Sequence, residues 1–419
     1  MTQSSLGTAD PRVRWLDDPT HRAWLMADAN RQLGFFRASL NPAGGFHTLG
    51  YDGAPLPRTV QELHTTTRLV HAYVLGQLAG VSGCCDMIDQ GMRYLWQRHH
   101  DDRYGGYLWA LDGDAIHDDR KLAYGHVFVL LAGASAKLVG HPDADRLIDD
   151  VSTVLDERFW EDGPGLLADE WNRDWTPFSS YRGMNANMHG VEALLGSYEA
   201  TGEPVYLTRA GRILDFFLAR YAPAHKWRLA EHYHADWTPD SAYAGNPIFR
   251  PAGTTPGHSF ELARLLLQYW DLQGRTDSAA VGTARALTQT ALADAWDQAR
   301  GGGLFYTLNF DGTPAIRDRY WWPVTEAIGA LASLLKVAVE QNDGDEVWYR
   351  RLWTFAAAHF VDHSRGGWFP EIDAENKPQF TQFAGKPDIY HALQASLFPL
   401  TPRLSRMAGD LPDITQTAL

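Results

Sequence analysis

Residues 104–160, YGGYLWALDGDAIHDDRKLAYGHVFVLLAGASAKLVGHPDADRLIDDVSTVLDERFW, contain one full copy of the unit from which the chain is built. The opening YGGYLWALDG alternates aromatic and polar positions and ends on Asp-Gly, the pattern of a short strand or hairpin. Residues 121–140, KLAYGHVFVLLAGASAKLVG, are rich in Ala, Gly, Leu and Val, which suits a helix packed on two sides. Residues 143–160, DADRLIDDVSTVLDERFW, carry apolar residues at helical spacing and a charged opposite face, so one side is expected in solvent.

The same order recurs along the chain. Gly-aromatic segments start at Gly44, Tyr104, Gly165, Arg228, Gly301 and Gly366, at roughly sixty-residue spacing that stretches between the fourth and fifth. Those at Gly165 and Arg228 are weaker copies. Inner-type helices are predicted over 60–80, 121–140, 184–200, 257–272, 323–340 and 389–398. Amphipathic outer-type helices are predicted over 20–36, 85–100, 143–160, 204–221, 278–296 and 345–361. A unit that cannot bury its apolar face alone must stack on its neighbours, and a closed ring removes the exposed ends. Twelve helices alternating outer and inner predict an all-α fold, an (α/α)6 barrel with short β-hairpins in the connections. Residues 1–419 are read as one catalytic domain. The loop Pro239–Pro256, with four prolines, is expected to form a lid or rim segment, and 399–419 a C-terminal extension.

Composition narrows the function. Hydrophobic residues make up 45% and aromatics 12%, enough for a large core. A formal net charge of −14 argues against nucleic acid or an anionic membrane as partner. The first residues, MTQSSLGTADPRVRW, have no apolar core of a secretory signal, and no apolar stretch is long enough to span a bilayer. Adjacent Cys84 and Cys85 fit a reducing compartment, so a cytoplasmic location is expected. A homo-oligomer is compatible with the sequence.

The chemistry gathers near the amino ends of the inner helices. His391 in KPDIYHALQASL and His258 in TTPGHSFELARLLL follow Pro- or Gly-bearing loops, and four other segments place Arg68, His126, His189 and Glu326 in a similar layout. Imidazoles, a carboxylate and a guanidinium meeting in one pocket suit proton transfer on a small polar substrate. Glu261 lies one turn after His258 and one turn before Arg264; it either orients an imidazole or forms a helical ion pair. A carboxylate at Glu326, in an apolar helix, needs a partner. Asn185 and Asn187 either bond substrate hydroxyls or cap their helix, and His64 reads as support for Arg68. Trp109, Trp171, Trp321, Trp322 and Tyr124 are the aromatics best placed to meet a sugar. HExxH, paired CxxC, a phosphate-cradling glycine loop and GxSxG are all missing from the sequence, so neither metal nor cofactor is expected.

The segments HTTTRLVHAY, YGHVFVLLAGASA, YRGMNANMHGVEALL, TTPGHSFELARLL, WWPVTEAIGAL and KPDIYHALQ together resemble the N-acylglucosamine 2-epimerase family. The resemblance is strongest to its aldose–ketose isomerase branch, which includes mannose isomerases and the sulfoquinovose isomerase type. It implies an (α/α)6 barrel and a metal-independent reaction on a monosaccharide. It carries functional roles onto Arg68, His189, His258, Glu261 and His391, with Tyr124, Asn185, Arg250, Trp322, Glu326 and Asp388 around the sugar. The expected reaction converts an aldose to its 2-ketose through a cis-enediol. His391 would move the proton between C2 and C1 with Glu261 orienting it, and His258 would serve ring opening or shuttle the hydroxyl proton. Arg68 and His189 would stabilise the enediolate. Two rivals stand beside it: 2-epimerisation by histidines on opposite faces, and an (α/α)6 glycoside hydrolase, which would leave the histidines unexplained.

Overall fold

The computed structural model describes residues 6–243, 245–338 and 343–416. In chain order its principal helices are α1 (Pro19–Phe36), α2 (Leu63–Leu78), α3 (Cys85–Tyr94), α4 (Ala123–Leu138), α5 (Ala144–Val154), α6 (Met184–Thr201) and α7 (Pro204–Leu214). They continue as α8 (Pro256–Leu272), α9 (Ala280–Ala295), α10 (Trp321–Val337), α11 (Asp343–His359), α12 (Tyr390–Leu397) and α13 (Met407–Gln416). The even-numbered helices form the inner ring. Each packs on the next, and α12 closes on α2. Outer helices α3, α5, α7, α9 and α11 lie against the inner helix that precedes them, while α1 packs on α12. The chain therefore starts with the outer partner of its last inner helix, which ties the two ends of the sequence together. This is the (α/α)6 barrel that the repeat predicts.

Burial follows from composition. Every residue of α4 from Gly125 to Ala136 is buried, as is every residue of α10 from Pro323 to Leu335. In α5 only Ala144, Leu147, Ile148 and Val151 are buried, a single stripe at helical spacing. Small residues let the inner helices approach the hairpins and outer helices: a Cβ at Gly190 would sit 3.0 Å from Leu167 of a hairpin, and one at Gly133 3.0 Å from Ile148 of α5.

The hairpins form a second ring at the end of the barrel where the inner helices begin. The residues just before each inner helix pair antiparallel with the hairpin of the following unit: 60–62 with 110–112, 121–122 with 170–171, 182–183 with 232–233, and 319–320 with 371–372. Single bridges complete the circle at Thr254–Leu308 and Leu49–Lys386. The weak copies at Gly165 and Arg228 thus hold the same place as the clear ones.

A shared ion pair anchors three of these hairpins. Asp101, Asp297 and Asp362 each precede a Gly-Gly pair by four residues, as Asp-x-x-x-Gly-Gly. The paired glycines all have positive φ, between 66° and 120°, where a side chain would be strained. The turn points each buried carboxylate at a cation just before an inner helix. Lys121 meets Asp101 at 2.9 Å, Lys386 meets Asp362 at 2.8 Å, and Arg319 pairs with Asp297.

The Pro239–Pro256 segment lies on this rim and is tied down along its length. Arg250 pairs with Glu170 at 3.0 Å, the Pro251 carbonyl contacts His232 Nε2 at 2.7 Å, and Tyr306 donates to the Ile248 carbonyl. Pro256 itself is the first residue of α8. In the C-terminal extension, α13 follows a turn at Phe398–Leu400; residues 417–419 lie outside the described residues. No helix among the described residues is long and apolar enough to cross a membrane.

Candidate active site

Two layers of side chains come from equivalent positions of the inner helices. The second residues of the six helices are His64, Tyr124, Asn185, Gly257, Trp322 and His391. The sixth residues of five of them are Arg68, Phe128, His189, Glu261 and Glu326. Positions two and six are one turn apart on one helical face, so both layers point the same way. The ring thus collects polar groups from elements hundreds of residues apart.

His258 and His391 meet at Trp322. The ring centroids of the two imidazoles lie 5.0 Å and 5.7 Å from the indole, tilted at 34° and 35°. Gly257 makes this possible, because a Cβ there would fall 2.3 Å from Trp322 Cζ3. Each imidazole is held by a carboxylate: His258 Nδ1 is 2.8 Å from Glu231 Oε2, and His391 Nδ1 is 2.8 Å from Glu326 Oε1. An ionised carboxylate only accepts, so Nδ1 carries the proton and Nε2 is left as the basic end. Neither Nε2 has a protein hydrogen bond among the described residues. Two imidazoles in one tautomer, with free basic ends against one aromatic plate, have the arrangement that proton transfer requires.

Beside them lies a neutral histidine and a fixed cation. His189 is 6.4 Å from His391 and 5.3 Å from Tyr124 between ring centroids. Burial, reinforced by the Arg68 charge, holds its imidazole well below the usual range and keeps it neutral. Arg68 donates to Asp388 at 2.7 Å and to Tyr124 Oη at 2.8 Å, with its guanidinium over the Phe128 and Tyr390 rings. A cation so fixed is suited to an oxyanion.

The floor is a buried carboxylate cluster around Arg264. Its Nη2 lies 3.1 Å from Glu326, 3.7 Å from Glu261 and 3.8 Å from Glu192. Burial, then the neighbouring Glu326 charge, pushes the Glu261 carboxyl well above its ordinary range, so it keeps a proton. Glu326 behaves oppositely: burial works against its charge, but Arg264 and His391 outweigh it and hold the group ionised. Glu261 Oε1 lies 3.4 Å from His189 Nδ1, and Tyr390 donates to Glu192. Two groupings have the spacing of a metal site, His189–Glu192–Glu261 and Glu261–Glu326–His391. In the second, His391 Nδ1 is already bonded to Glu326, and the Arg264 guanidinium sits among the carboxylates of both, supplying positive charge.

Among the described residues, several buried polar atoms of this site have no protein hydrogen-bond partner. They include Arg68 Nε, Asp388 Oδ1, Asn185 Oδ1, His189 Nδ1 and both Glu261 oxygens. Groups buried without partners are costly in a fold and mark a place where a polar ligand completes the bonding.

Several sequence expectations change. His126 does not join the site. Its Nδ1 bonds the Leu122 carbonyl at 2.8 Å, its Nε2 accepts from the Tyr107 amide at 3.0 Å, and burial lowers its pKa to about 3. It is the fourth residue of α4, two positions and roughly 200° from the sixth, where Phe128 stands. Glu326, rather than Glu261, orients His391. Asn187 bonds the Leu167 amide and carbonyl and the Gly183 carbonyl, stapling its helix to the hairpin. Arg250 is engaged with Glu170 and stacks 4.0 Å over Tyr181 on the rim. Trp109 backs His64 at 5.1 Å, while Trp321 packs on Phe383 and lies 6.5 Å from His391.

Sequence reasoning missed Glu231, in the weak repeat RLAEHYHADW. A signal existed in the two weak copies, where Leu167-Ala168-Asp169 matches Leu229-Ala230-Glu231: in the structure Asp169 accepts from the Gly183 amide at 2.6 Å, as Glu231 accepts from Thr255 at 3.2 Å. A hairpin carboxylate thus secures the start of the next inner helix, and at Glu231 its second oxygen takes His258. Glu192 and Tyr390 were also missed.

Comparison with known proteins bears on this geometry. The chain is 40% identical to a D-mannose isomerase of Thermobifida fusca over 414 residues, covering 96% of this chain and 99% of that protein. A crystal structure of a D-mannose isomerase superposes with a TM-score of 0.82 at 30% identity, covering 94% of this chain and 98% of that one. The cellobiose 2-epimerase of Spirochaeta thermophila shares the fold, with a TM-score of 0.79 at 22% identity over 93% and 96% of the two chains. The sequence profile of the N-acylglucosamine 2-epimerase (GlcNAc 2-epimerase) family matches residues 44–395. With its inner-helix histidines, the paired carboxylates behind them and this match over most of its length, the chain belongs to the N-acylglucosamine 2-epimerase family.

Proposed function

We propose that this protein is an aldose–ketose isomerase that interconverts a free monosaccharide of the mannose type and its 2-ketose. The observation that carries the reading is the pair His258 and His391, each bonded through Nδ1 to a carboxylate and both lying against Trp322. The kinship with D-mannose isomerases supports the same substrate class.

The groups divide the steps among them. His258 Nε2 takes the anomeric hydroxyl proton and gives it to the ring oxygen as the C1–O5 bond breaks, which opens the ring to the aldehyde. His391 Nε2 then removes the C2 hydrogen as a proton; the C–H electrons form the C1–C2 double bond and the aldehyde oxygen takes up charge. Arg68 stabilises that oxygen, and His189 donates to the neighbouring one through Nε2–H. The same His391 returns the proton to C1 while His258 carries the C2 hydroxyl proton to the C1 oxygen, so that C2 becomes the ketone and C1 carries the hydroxyl. Tyr124, Asn185, Trp322 and Asp388 line the sugar, and Arg250 on the rim limits its size and charge. The reaction needs neither metal nor cofactor in this reading, so activity survives exhaustive chelation. Residues 1–419 act as one catalytic unit, and the free Cys84 and Cys85 fit a cytoplasmic setting.

The test is NMR in D2O with mannose. Fructose forms with label at its C1, and recovered mannose carries label at C2. His391→Ala with normal turnover refutes the assignment. A second reading, 2-epimerisation, draws on the same two imidazoles if they reach opposite faces of the enediolate; glucose appearing before fructose selects it.

A further inference from the structure

The isomerase reading assigns no task to Arg264, yet the barrel floor is built around it. Its Nε and Nη2 both donate to Glu326 Oε2, at 3.4 Å and 3.1 Å, while the other oxygen of that carboxylate takes His391 Nδ1. A cation, a carboxylate and an imidazole thus stand in line from α8 through α10 to α12. Space is kept for the arginine. Gly329, one turn beyond Glu326 on α10, would place a Cβ 3.1 Å from Arg264 Cδ and 3.5 Å from its Nε. The side chain therefore lies across a bare stretch of the neighbouring helix.

We propose that Arg264 is a positioning residue for proton transfer: by holding the Glu326 carboxylate charged and fixed, it keeps the His391 imidazole in the tautomer whose Nε2 faces substrate. Three carboxylates converge on this spot, Glu192 from α6, Glu261 from α8 and Glu326 from α10. The other charged or titratable groups facing it are His189 on α6, His391 and Tyr390 on α12, Tyr124 on α4, and Arg68 and His71 on α2. Arg264 is the cation in contact with all three carboxylates. Its pairing with Oε2 decides which carboxylate stays ionised and which takes the proton. Glu326 keeps its charge, and Glu261 becomes the acid. If Arg264 were lost, Glu326 would compete for that proton. A protonated Glu326 no longer secures the Nδ1–H form of His391, since its hydroxyl can donate to Nδ1 instead.

The proposal rests on the isomerase reading, but its test has an arm that needs no turnover. Carbon-13 NMR of side-chain carboxyl-labelled glutamate, with the Glu326 signal assigned by its loss in Glu326→Gln, reports ionisation directly. In the parent, Glu326 stays ionised through the acid range in which the protein remains folded. In Arg264→Gln it is expected to take up a proton at least one pH unit higher, and Arg264→Lys to return most of that shift. In kinetics, Arg264→Gln should lower kcat at least tenfold with KM within about threefold, and the acid limb of kcat/KM should move to higher pH. If the unbalanced carboxylates of Arg264→Gln prevent folding, the double variant Arg264→Gln/Glu192→Gln removes one charge of each sign and carries the same test. A folded variant whose Glu326 ionises where the parent's does, or whose pH profile is unmoved, overturns the proposal. Parent protein that fails to isomerise any aldose, with the NMR shift intact, refutes the isomerase reading and leaves the role of Arg264 in the charge of the floor standing.

Discussion

Replacing Gly257 by alanine tests the site with one methyl group. The added Cβ would lie 2.3 Å from Trp322 Cζ3, 2.6 Å from Cη2 and 3.0 Å from Cε3. Carbon atoms rest at about 3.5–4.0 Å, so the indole must retreat by more than about 1 Å. Overpacking of this kind costs about 1–3 kcal/mol of stability. The larger effect is on catalysis, because Trp322 is the plate against which both His258 and His391 rest. A displacement of about 1 Å among reacting groups costs about a hundredfold in rate, or about 2.7 kcal/mol. The assay is steady-state isomerisation on protein shown to be folded by circular dichroism, beside a thermal melt. Gly196→Ala is the matched control: its nearest neighbour, Leu131, would be at 3.4 Å, an ordinary contact. That variant should keep parental activity and gain up to about 1 kcal/mol from helix propensity. Parental kcat/KM in Gly257→Ala, or a loss no larger than the unfolded fraction explains, refutes the coupling between glycine, indole and the imidazole pair.

Glu231→Gln keeps the shape of the His258 partner but removes its charge, and a charge-assisted hydrogen bond exceeds a neutral one by about 1–2 kcal/mol; kcat should fall about 5- to 30-fold, and an unchanged kcat would show that His258 acts without it. Acid should destabilise the fold early. Buried His21, His71 and His99 have pKa values lowered to about 4 and His126 to about 3, so they stay neutral in the fold while the unfolded chain protonates near pH 6.5. Below that pH the unfolded state binds more protons, so the stability present above 6.5 is lost toward pH 4, at about 1.4 kcal/mol per pH unit for each histidine. Equal denaturant midpoints at pH 7 and pH 5 would contradict this. Lys386→Met strands the buried Asp362 carboxylate where the last inner helix joins the first hairpin, and should cost about 3–5 kcal/mol; a melting temperature within about 1 °C of the parent, roughly 1 kcal/mol or less in a chain this size, would refute that role.

The fold was legible because its information is periodic. Repeated Gly-aromatic hairpins, two helix types told apart by burial pattern, and roughly sixty-residue spacing each pointed to six paired units, since apolar periodicity is local physics. His258, His391, Arg68, His189 and Glu261 were legible as polar residues near the starts of helices too apolar to leave them unexplained. Their partners were not. His126 looked equivalent to His189 until helix boundaries placed it about half a turn from the inward face, and only a residue-level register separates the two.

What the amino-acid sequence determined alone was therefore the ring, its six units and the kinds of chemistry at its mouth. Tertiary structure alone decided the pairings: Glu231 with His258, Glu326 with His391, and Arg264 with Glu326 and Glu192. Those pairs join residues 27, 65 and 62–72 positions apart, in helices or hairpins of different units. Hydrogen bonds and charge act over a few ångströms in space, whatever the distance along the chain. Which carboxylate holds a proton, and which nitrogen of a histidine is free to take one, depends on that closeness.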